Sequence, residues 1–521
     1  MERRLARRYP VGEQDFKKIR DNGWLYVDKT AYVWQLAQGP DYYFLARPRR
    51  FGKSLLVSTI RYFFEGRREL FTGLAIDQLE TRWESYPVLR FDMSQGKNFT
   101  VETLTNYLND QLDENEARLG ICTDRIDVSL RMKNLIQKVY HQTGKPVVVL
   151  VDEYDAPVLD SLCREDCSEG IRSLLYSFYS PLKGNAEYLR FVFLTGISKF
   201  SQLGLFSGFN NLVRITTNPD YAGICGITKT ELKEQLTEDI DQLSRKMGLT
   251  PEETLEQLIE NYDGYHFTWP SDDILNPFSL LSAFHEGRIK DYWFETGTSG
   301  YTVELLRKYD VLPTTAGQVE AEESDFNVPL ETAMNSIPLL YQSGYLTIKA
   351  YDRRRDIYTL DIPNKEVRIG LMKCLLPHYL PSGIVPGMGV KTQDMRLALE
   401  DDNMDSALRH MKEILLMIPH TTHTDHEGHY QRLMFCFFTL AGAECRLEEH
   451  TSAGRIDIVV RTRRRIYAIE LKIEQSASAA MQQIDDRDYT SYFAGYTLPV
   501  TKVGVSIDKE KRTIKDWKIN E

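Results

Sequence analysis

Leu45-Ala46-Arg47-Pro48-Arg49-Arg50-Phe51-Gly52-Lys53-Ser54-Leu55-Leu56 sets a lysine and a hydroxyl directly behind a glycine, at a turn from strand to helix. The apolar run just before it, residues 42–46, reads as a buried strand. Downstream, Leu55, Leu56, Ile60, Phe63 and Phe64 recur at helical spacing. A loop in that place aims backbone N–H groups and a helix N-terminus at one spot, which suits a phosphate. Lys53 would reach the β- and γ-phosphates of a nucleotide, and the Ser54 hydroxyl would hold Mg²⁺. The first glycine of the usual G-x-x-x-x-G-K-[ST] pattern would fall at 47, where this chain has Arg47.

A second stretch strengthens the reading. Lys145-Pro146-Val147-Val148-Val149-Leu150-Val151-Asp152-Glu153 is an apolar run ending in two acids. Such a run reads as a strand of a covered parallel sheet. Asp152 can order Mg²⁺ through water, and Glu153 can polarise the attacking water. A helix cap with a surface acid pair is the plain alternative. Further strand candidates at 88–91, 191–194 and 212–215 alternate with helical patterns, as in a parallel α/β sheet. Thr195 and Ser198 close the strand after the acidic one, where a polar side chain can sense the γ-phosphate. From Thr228 the pattern turns helical, and Thr250-Pro251-Glu252-Glu253 is a capping box with proline at the first helical position.

Residues 329–380 read as a helix ending at Gly344, two strands (345–350 and 357–362) joined by Asp352-Arg353-Arg354-Arg355-Asp356, and a helix from Asn364. That is a winged-helix arrangement. Its arginine tip either touches phosphates or packs against the preceding core. Pro381-Ser382-Gly383-Ile384-Val385-Pro386-Gly387 reads as a hinge.

A chain of 521 residues is too long for one core and implies three or four domains. Its 42% hydrophobic and 27% charged residues are the balance of a soluble protein. The apolar runs are too short to span a membrane, and the charged N-terminus has no apolar segment behind it to make a leader. Seven cysteines without framework spacing suit a reducing cytoplasm; Cys163 and Cys167 read as ordinary core residues. The net charge of −11 argues against a protein coated in positive charge. Basic clusters remain at Arg3/Arg4/Arg7/Arg8, at Arg353–Arg354–Arg355, and at Arg461 with Arg463, Arg464 and Arg465, either as solvated tips or as contacts to nucleic acid.

Near the C-terminus, Gly454-Arg455-Ile456-Asp457-Ile458-Val459-Val460 and Ile466-Tyr467-Ala468-Ile469-Glu470-Leu471-Lys472-Ile473 read as adjacent strands. Period-2 geometry places Glu470 and Lys472 on one face, with Asp457 on the neighbouring strand. Two acids and a lysine can bind a divalent cation and activate water for phosphodiester hydrolysis, and oxygen ligands suit Mg²⁺ or Mn²⁺. His420, His423, His426 and His429 recur every third residue. Pro419 and the intervening threonines read there as a loop entering a helix, with an imidazole metal site as the alternative.

The motifs together resemble a known family. Tyr26-Val27-Asp28-Lys29-Thr30, the 47–54 loop, Val151-Asp152-Glu153-Tyr154-Asp155, Phe193-Leu194-Thr195-Gly196-Ile197-Ser198-Lys199-Phe200, Phe206-Ser207-Gly208-Phe209-Asn210-Asn211-Leu212, Tyr262-Asp263-Gly264-Tyr265 and Asn276-Pro277-Phe278-Ser279 resemble the predicted bacterial AAA-ATPase-like family. There the arginine-rich loop without the first glycine is itself the signature. The resemblance implies an ASCE-type P-loop NTPase core followed by a helical lid, with ATP held by Arg47, Arg49, Arg50, Phe51, Gly52, Lys53, Ser54, Asp152 and Ser198. Asp457 and Glu470-Leu471-Lys472 resemble the PD-(D/E)XK nuclease superfamily, an α/β fold, with Glu427 and Gln483 as weaker matches.

The expected layout is therefore a P-loop domain at 1–227, a helical lid at 228–328, a winged-helix-like module at 329–390 and a nuclease-like domain at 391–521. The expected enzyme binds and hydrolyses ATP, with Glu153 as its catalytic acid and Ser54 and Asp152 on Mg²⁺. It cuts DNA or RNA with Asp457, Glu470 and Lys472, where Asp457, Glu470 and Glu427 hold Mg²⁺ or Mn²⁺. The alternative is a nucleotide-regulated switch whose nuclease-like domain only binds. No membrane partner is expected, and a homo-oligomer is left open.

Overall fold

The computed structural model describes residues 7–520 apart from 40–41, 97–99, 125–126, 163–164, 199–211, 294–305, 307–317, 331–332, 334, 381–384, 419–426, 452–453 and 494. The motif at 206–211, Arg3 and Arg4, Cys163, His420, His423, His426 and most of the expected hinge lie outside the described residues. Two compact units are present: Met1–Asp310 with Gln318–Glu366, and Val311–Gly317 with Val367–Glu521.

The first unit is built on a sheet of five strands: β1 (Tyr42–Ala46), β2 (Val88–Asp92), β3 (Val147–Asp152), β4 (Leu189–Gly196) and β5 (Val213–Arg214). Their order is β2-β3-β4-β1-β5, and all pairs are parallel. Every residue of β1 and β3 is buried, which is why both read as uninterrupted apolar runs. β4 lies between β1 and β3, as an ASCE-type core requires. Ala46 pairs with Gly196 and Val151 with Leu194. The loop after β1 and the acids after β3 therefore leave the same carboxyl edge of the sheet, where open α/β sheets bind ligands. β5 shrinks to two residues, and its continuation is held by Ile215 N donating to Phe44 O.

The lid begins with a capping box at Thr228/Glu231 and repeats the device at Thr250/Glu253, as the sequence pattern requires. Leu236, Ile240, Leu243, Leu258, Tyr262 and Leu280 gather in its core. The short ribbon of β6 (Ile227–Thr228) and β7 (Ile274–Leu275) ties the helices together. The wing follows: helix Ile337–Gln342, then a sheet of β8 (Val319–Ala321), β9 (Thr347–Asp352) and β10 (Ile357–Asp361) in the order β8-β10-β9. The sequence reading lacks β8, because Val-Glu-Ala carries no period to read. The helix Lys365–Tyr379 runs from the first unit into the second, so residues 367–390 of the expected third segment group with the C-terminal part.

In the second unit, β11 (Glu444–Thr451), β12 (Gly454–Arg461), β13 (Ile466–Ile473), β14 (Val500–Asp508) and β15 (Thr513–Asn520) lie side by side in chain order. Only β13 and β14 are parallel, and the helix Ala477–Asp486 crosses between them. A Cβ on Gly504 of β14 would lie 2.5 Å from Ala477 O and 2.9 Å from Met481 N. The bare glycine lets this helix seat against the sheet. Among the described residues no helix is long and apolar enough to cross a membrane.

Candidate functional site

The loop after β1 takes its shape from two left-handed residues, Arg50 (φ 67°) and Gly52 (φ 89°), just ahead of the helix Lys53–Phe64. Such a turn points successive N–H groups into one concavity. Lys53 is 4% exposed, and its Nζ donates to Arg47 O at 3.0 Å and Pro48 O at 3.1 Å, so the ammonium is held inside the loop. Ser54 lies near the Asp152 carboxylate at the end of β3 and favours its charged form. Burial pushes Asp152 up to about 6, with Glu153 and Asp92 adding like charge and Ser54 and Lys53 opposing. Asp152 Oδ1 is buried with no hydrogen-bond partner. Glu153 turns left-handed (φ 50°) directly after the strand, a strained position for a residue with a side chain.

Three expected nucleotide contacts have other tasks. The Arg47 guanidinium is 1% exposed and donates to Ala46 O (2.9 Å), Thr216 O (2.8 Å) and Tyr221 O (3.3 Å). It lies 4.0 Å from the Phe267 ring centroid, and burial lowers it to about 10. Its side chain fastens the loop to the lid instead of reaching phosphate. Phe51, also buried, packs edge-on against Tyr265 and Phe267. Ser198, expected as a γ-phosphate sensor, has its hydroxyl donated to Asp155 Oδ2 at 2.7 Å. The same oxygen accepts from Ile197 N and Ser198 N. The buried hydroxyl without a partner at this strand end is Thr195. Arg49 lends its carbonyl to Trp293 Nε1 at 3.2 Å, and the exposed Arg50 lies 4.9 Å from the Phe278 ring centroid on the lid.

The C-terminal unit gathers a second set. Asp457 on β12 and Glu470 on β13 are 5% and 1% exposed, which is unusual for acids. Asp457 Oδ2 accepts from Leu471 N at 2.8 Å. Glu470 Oε1 accepts from Lys472 Nζ at 3.1 Å and from Gln483 Nε2 on the crossing helix. Lys472 also lies 3.9 Å from Glu427 Oε1, at the start of the helix Glu427–Leu440. Burial raises Asp457 to about 6. It raises Glu470 to about 7, with the Asp457 charge next in effect and Lys472 opposing. Glu470 Oε2 is buried and unpartnered.

Comparison with known proteins matches the two domains that carry these residues. Residues 10–206 match the family described as predicted AAA-ATPase, and residues 425–517 match the PD-(D/E)XK nuclease superfamily. An uncharacterized protein in the vnfD 5' region of Azotobacter chroococcum mcd 1 is 33% identical over 523 residues, covering 98% of each chain. This chain belongs to the predicted AAA-ATPase-like family and carries a C-terminal PD-(D/E)XK nuclease superfamily domain.

In the AAA-ATPase-like domain the donor set fits a magnesium nucleotide: a concave run of N–H groups, one lysine, and an acid with a free buried oxygen beside a serine hydroxyl. In the nuclease-superfamily domain, two desolvated carboxylates that disfavour each other's charge fit a hard divalent cation. Such a cation commonly keeps part of its water and uses one or two carboxylates. Among the described residues no three His, Cys, Asp or Glu side chains converge as a ready cage; Glu427 approaches through Lys472. Sequence reasoning missed Gln431, which lies near Asp457 and favours its charged form. It lies four residues after Glu427, hence on the same helix face. Asp92, opposite Asp152 on β2, was missed as well. Its signal was its place at the end of a parallel neighbour.

The basic clusters also divide. Arg355 is paired with Glu320 at 2.8 Å, and Arg465 with Asp402 at 3.1 Å and Thr501 at 2.9 Å, so these two act within the fold.

Proposed function

We propose that this protein binds and hydrolyses ATP at the 47–54 loop and cleaves nucleic acid in its C-terminal domain. The observation that carries the reading is the meeting of Asp457 and Glu470, from adjacent strands, with Lys472 reaching from Glu470 toward Glu427. Two buried acids and one lysine on adjacent inner strands of a sheet are costly to keep unless they serve a cation.

At the nucleotide site, Lys53 would balance the β- and γ-phosphates while the loop N–H groups accept the remaining charge. Ser54 and Asp152 would hold Mg²⁺, and Glu153 would orient the attacking water. At the second site, Asp457 and Glu470 would hold Mg²⁺ or Mn²⁺, with Glu427 completing the shell. The bound ion supplies polarisation of the phosphoryl oxygen and a nucleophile near neutral pH. Lys472 would orient water and stabilise charge developing on the phosphorane. Gln483 and Gln431 would fix the two carboxylates. A cytoplasmic location, read from free cysteines and the nucleotide requirement, belongs to the same proposal.

The test is direct. Purified full-length protein is incubated with linear and circular duplex DNA, single-stranded DNA and RNA, with Mg²⁺ or Mn²⁺, with and without ATP. Metal-dependent cutting of at least one substrate is expected. ATP turnover without cutting under any condition would leave a nucleotide-governed switch with an inactive nuclease fold.

A further inference from the structure

The wing of the first unit borders a cleft of about 430 Å³ lined by Trp269, Pro270, Tyr351, Asp352, Arg353 and Arg354. Two aromatic faces and two guanidinium groups come together here on a surface of a chain whose net charge is −11. The neighbouring Arg355 is neutralised by Glu320, but among the described residues neither Arg353 nor Arg354 has a carboxylate partner. Asp352 turns its carboxylate to the backbone N–H groups of Arg354 and Arg355. Tyr351 is braced from behind by Tyr358, with ring centroids 4.5 Å apart, and its hydroxyl donates to Asp356 at 2.7 Å. Trp269 is likewise backed by His266, at 5.0 Å. Both rings are thus held in place before any ligand arrives. At Pro270 the cleft meets a second one of about 460 Å³ that Tyr32 lines.

We infer that this cleft binds single-stranded nucleic acid, with a base stacked on Trp269 and Tyr351 and the adjoining phosphates held by Arg353 and Arg354. Braced aromatic faces beside unpaired arginines recognise unstacked bases and their backbone, and duplex DNA hides those faces. A metabolite pocket would be closed and carry fixed polar groups, whereas this cleft is open and continues past Pro270 toward Tyr32. The site lies in the first unit, and the residues proposed to cut belong to the second. It rests on the reading above only for its choice of polymer.

The experiment measures binding without chemistry. Full-length protein in chelator is titrated into a fluorescently labelled single-stranded oligonucleotide and into the matching duplex, followed by anisotropy and by tryptophan emission. The single strand should bind more tightly than the duplex. Trp269→Ala should weaken single-strand binding by about 10-fold or more, and Trp269→Phe should retain most of it. Arg353→Gln with Arg354→Gln should lower the slope of log affinity against log salt by about 1.4, for two phosphate contacts on a single strand. Unchanged affinity and slope in these variants would overturn the site. So would equal losses on duplex, or equal competition by polyglutamate, which marks a plain charge contact. If the metal-loaded protein never cuts nucleic acid but these losses appear, the site stands and the nuclease reading falls. Cutting with variant-insensitive binding removes the site alone.

Discussion

The two sites are built with opposite electrostatics. After β1 the chain concentrates backbone N–H groups, a helix N-terminus and Lys53. On β12 and β13 it concentrates Asp457 and Glu470 with one lysine between acids. The first arrangement suits an anion, and the buried Asp152 stands where a cation would accompany that anion. The second suits a cation, and its one lysine stands where negative charge would develop. In both, burial raises the acids from their ordinary range. Desolvation alone does not tell the two apart; the sign of the surrounding groups does.

Removing the positive charge of the first site is the strongest way to break this contrast. Lys53→Ala should abolish ATP binding in a filter or fluorescence assay, because the β- and γ-phosphates lose their charge partner. Glu153→Gln should bind normally and lose turnover, since it spares Ser54 and Asp152. Equal hydrolysis by wild type and Glu153→Gln would reassign that residue. The corresponding change in the second site is smaller. Lys472→Ala should leave Mn²⁺ binding intact while cleavage slows by about 100-fold or more, the loss of one transition-state charge partner. Weakened metal binding instead would make Lys472 a structural counter-charge.

Glu366 sharpens the contrast as a buried acid with no ion to serve. It is 1% exposed, accepts from Trp293 N at 2.7 Å and Ser279 Oγ at 3.0 Å, and burial raises it to about 8. The folded state therefore keeps its proton to higher pH than the unfolded chain does. Stability falls as pH climbs from about 4.5 to about 8 and is level beyond. Glu366→Gln preserves the accepting oxygen and carries no charge. Its melting temperature should match wild type near about pH 5 and exceed it by several degrees near about pH 8.5. A constant difference across that range would mean that Glu366 does not titrate there.

Much of the fold was legible because burial writes itself into composition. β1 and β13 read to their bounds, Tyr42–Ala46 and Ile466–Ile473, as apolar or alternating runs, and the Thr250 cap announced its helix. β8 was not legible: three residues of mixed polarity gain their strand character only by pairing with β10. Within the sites, residue type was legible and side-chain direction was not. Arg47 sits in an arginine-rich loop that suggests phosphate, yet its partners are carbonyls of Thr216 and Tyr221, far along the chain. Ser198 has the right place for a sensor, but Asp155 captures its hydroxyl, and Thr195 keeps the open one. Gln483 was legible as a weak match, and Gln431 only through helical spacing from Glu427.

The proposed ATP and cleavage sites are independent and opposite in charge. Measuring ATP hydrolysis and phosphodiester cleavage side by side in folded Lys53→Ala and Asp457→Ala proteins, with cleavage assayed without nucleotide as well as with it, separates them. Lys53→Ala should lose ATP turnover and keep nucleotide-independent cutting, while Asp457→Ala should lose all cutting and hydrolyse ATP at close to the wild-type rate. Loss of ATP turnover in a folded Asp457→Ala protein, or cutting undiminished by that substitution, would contradict this assignment.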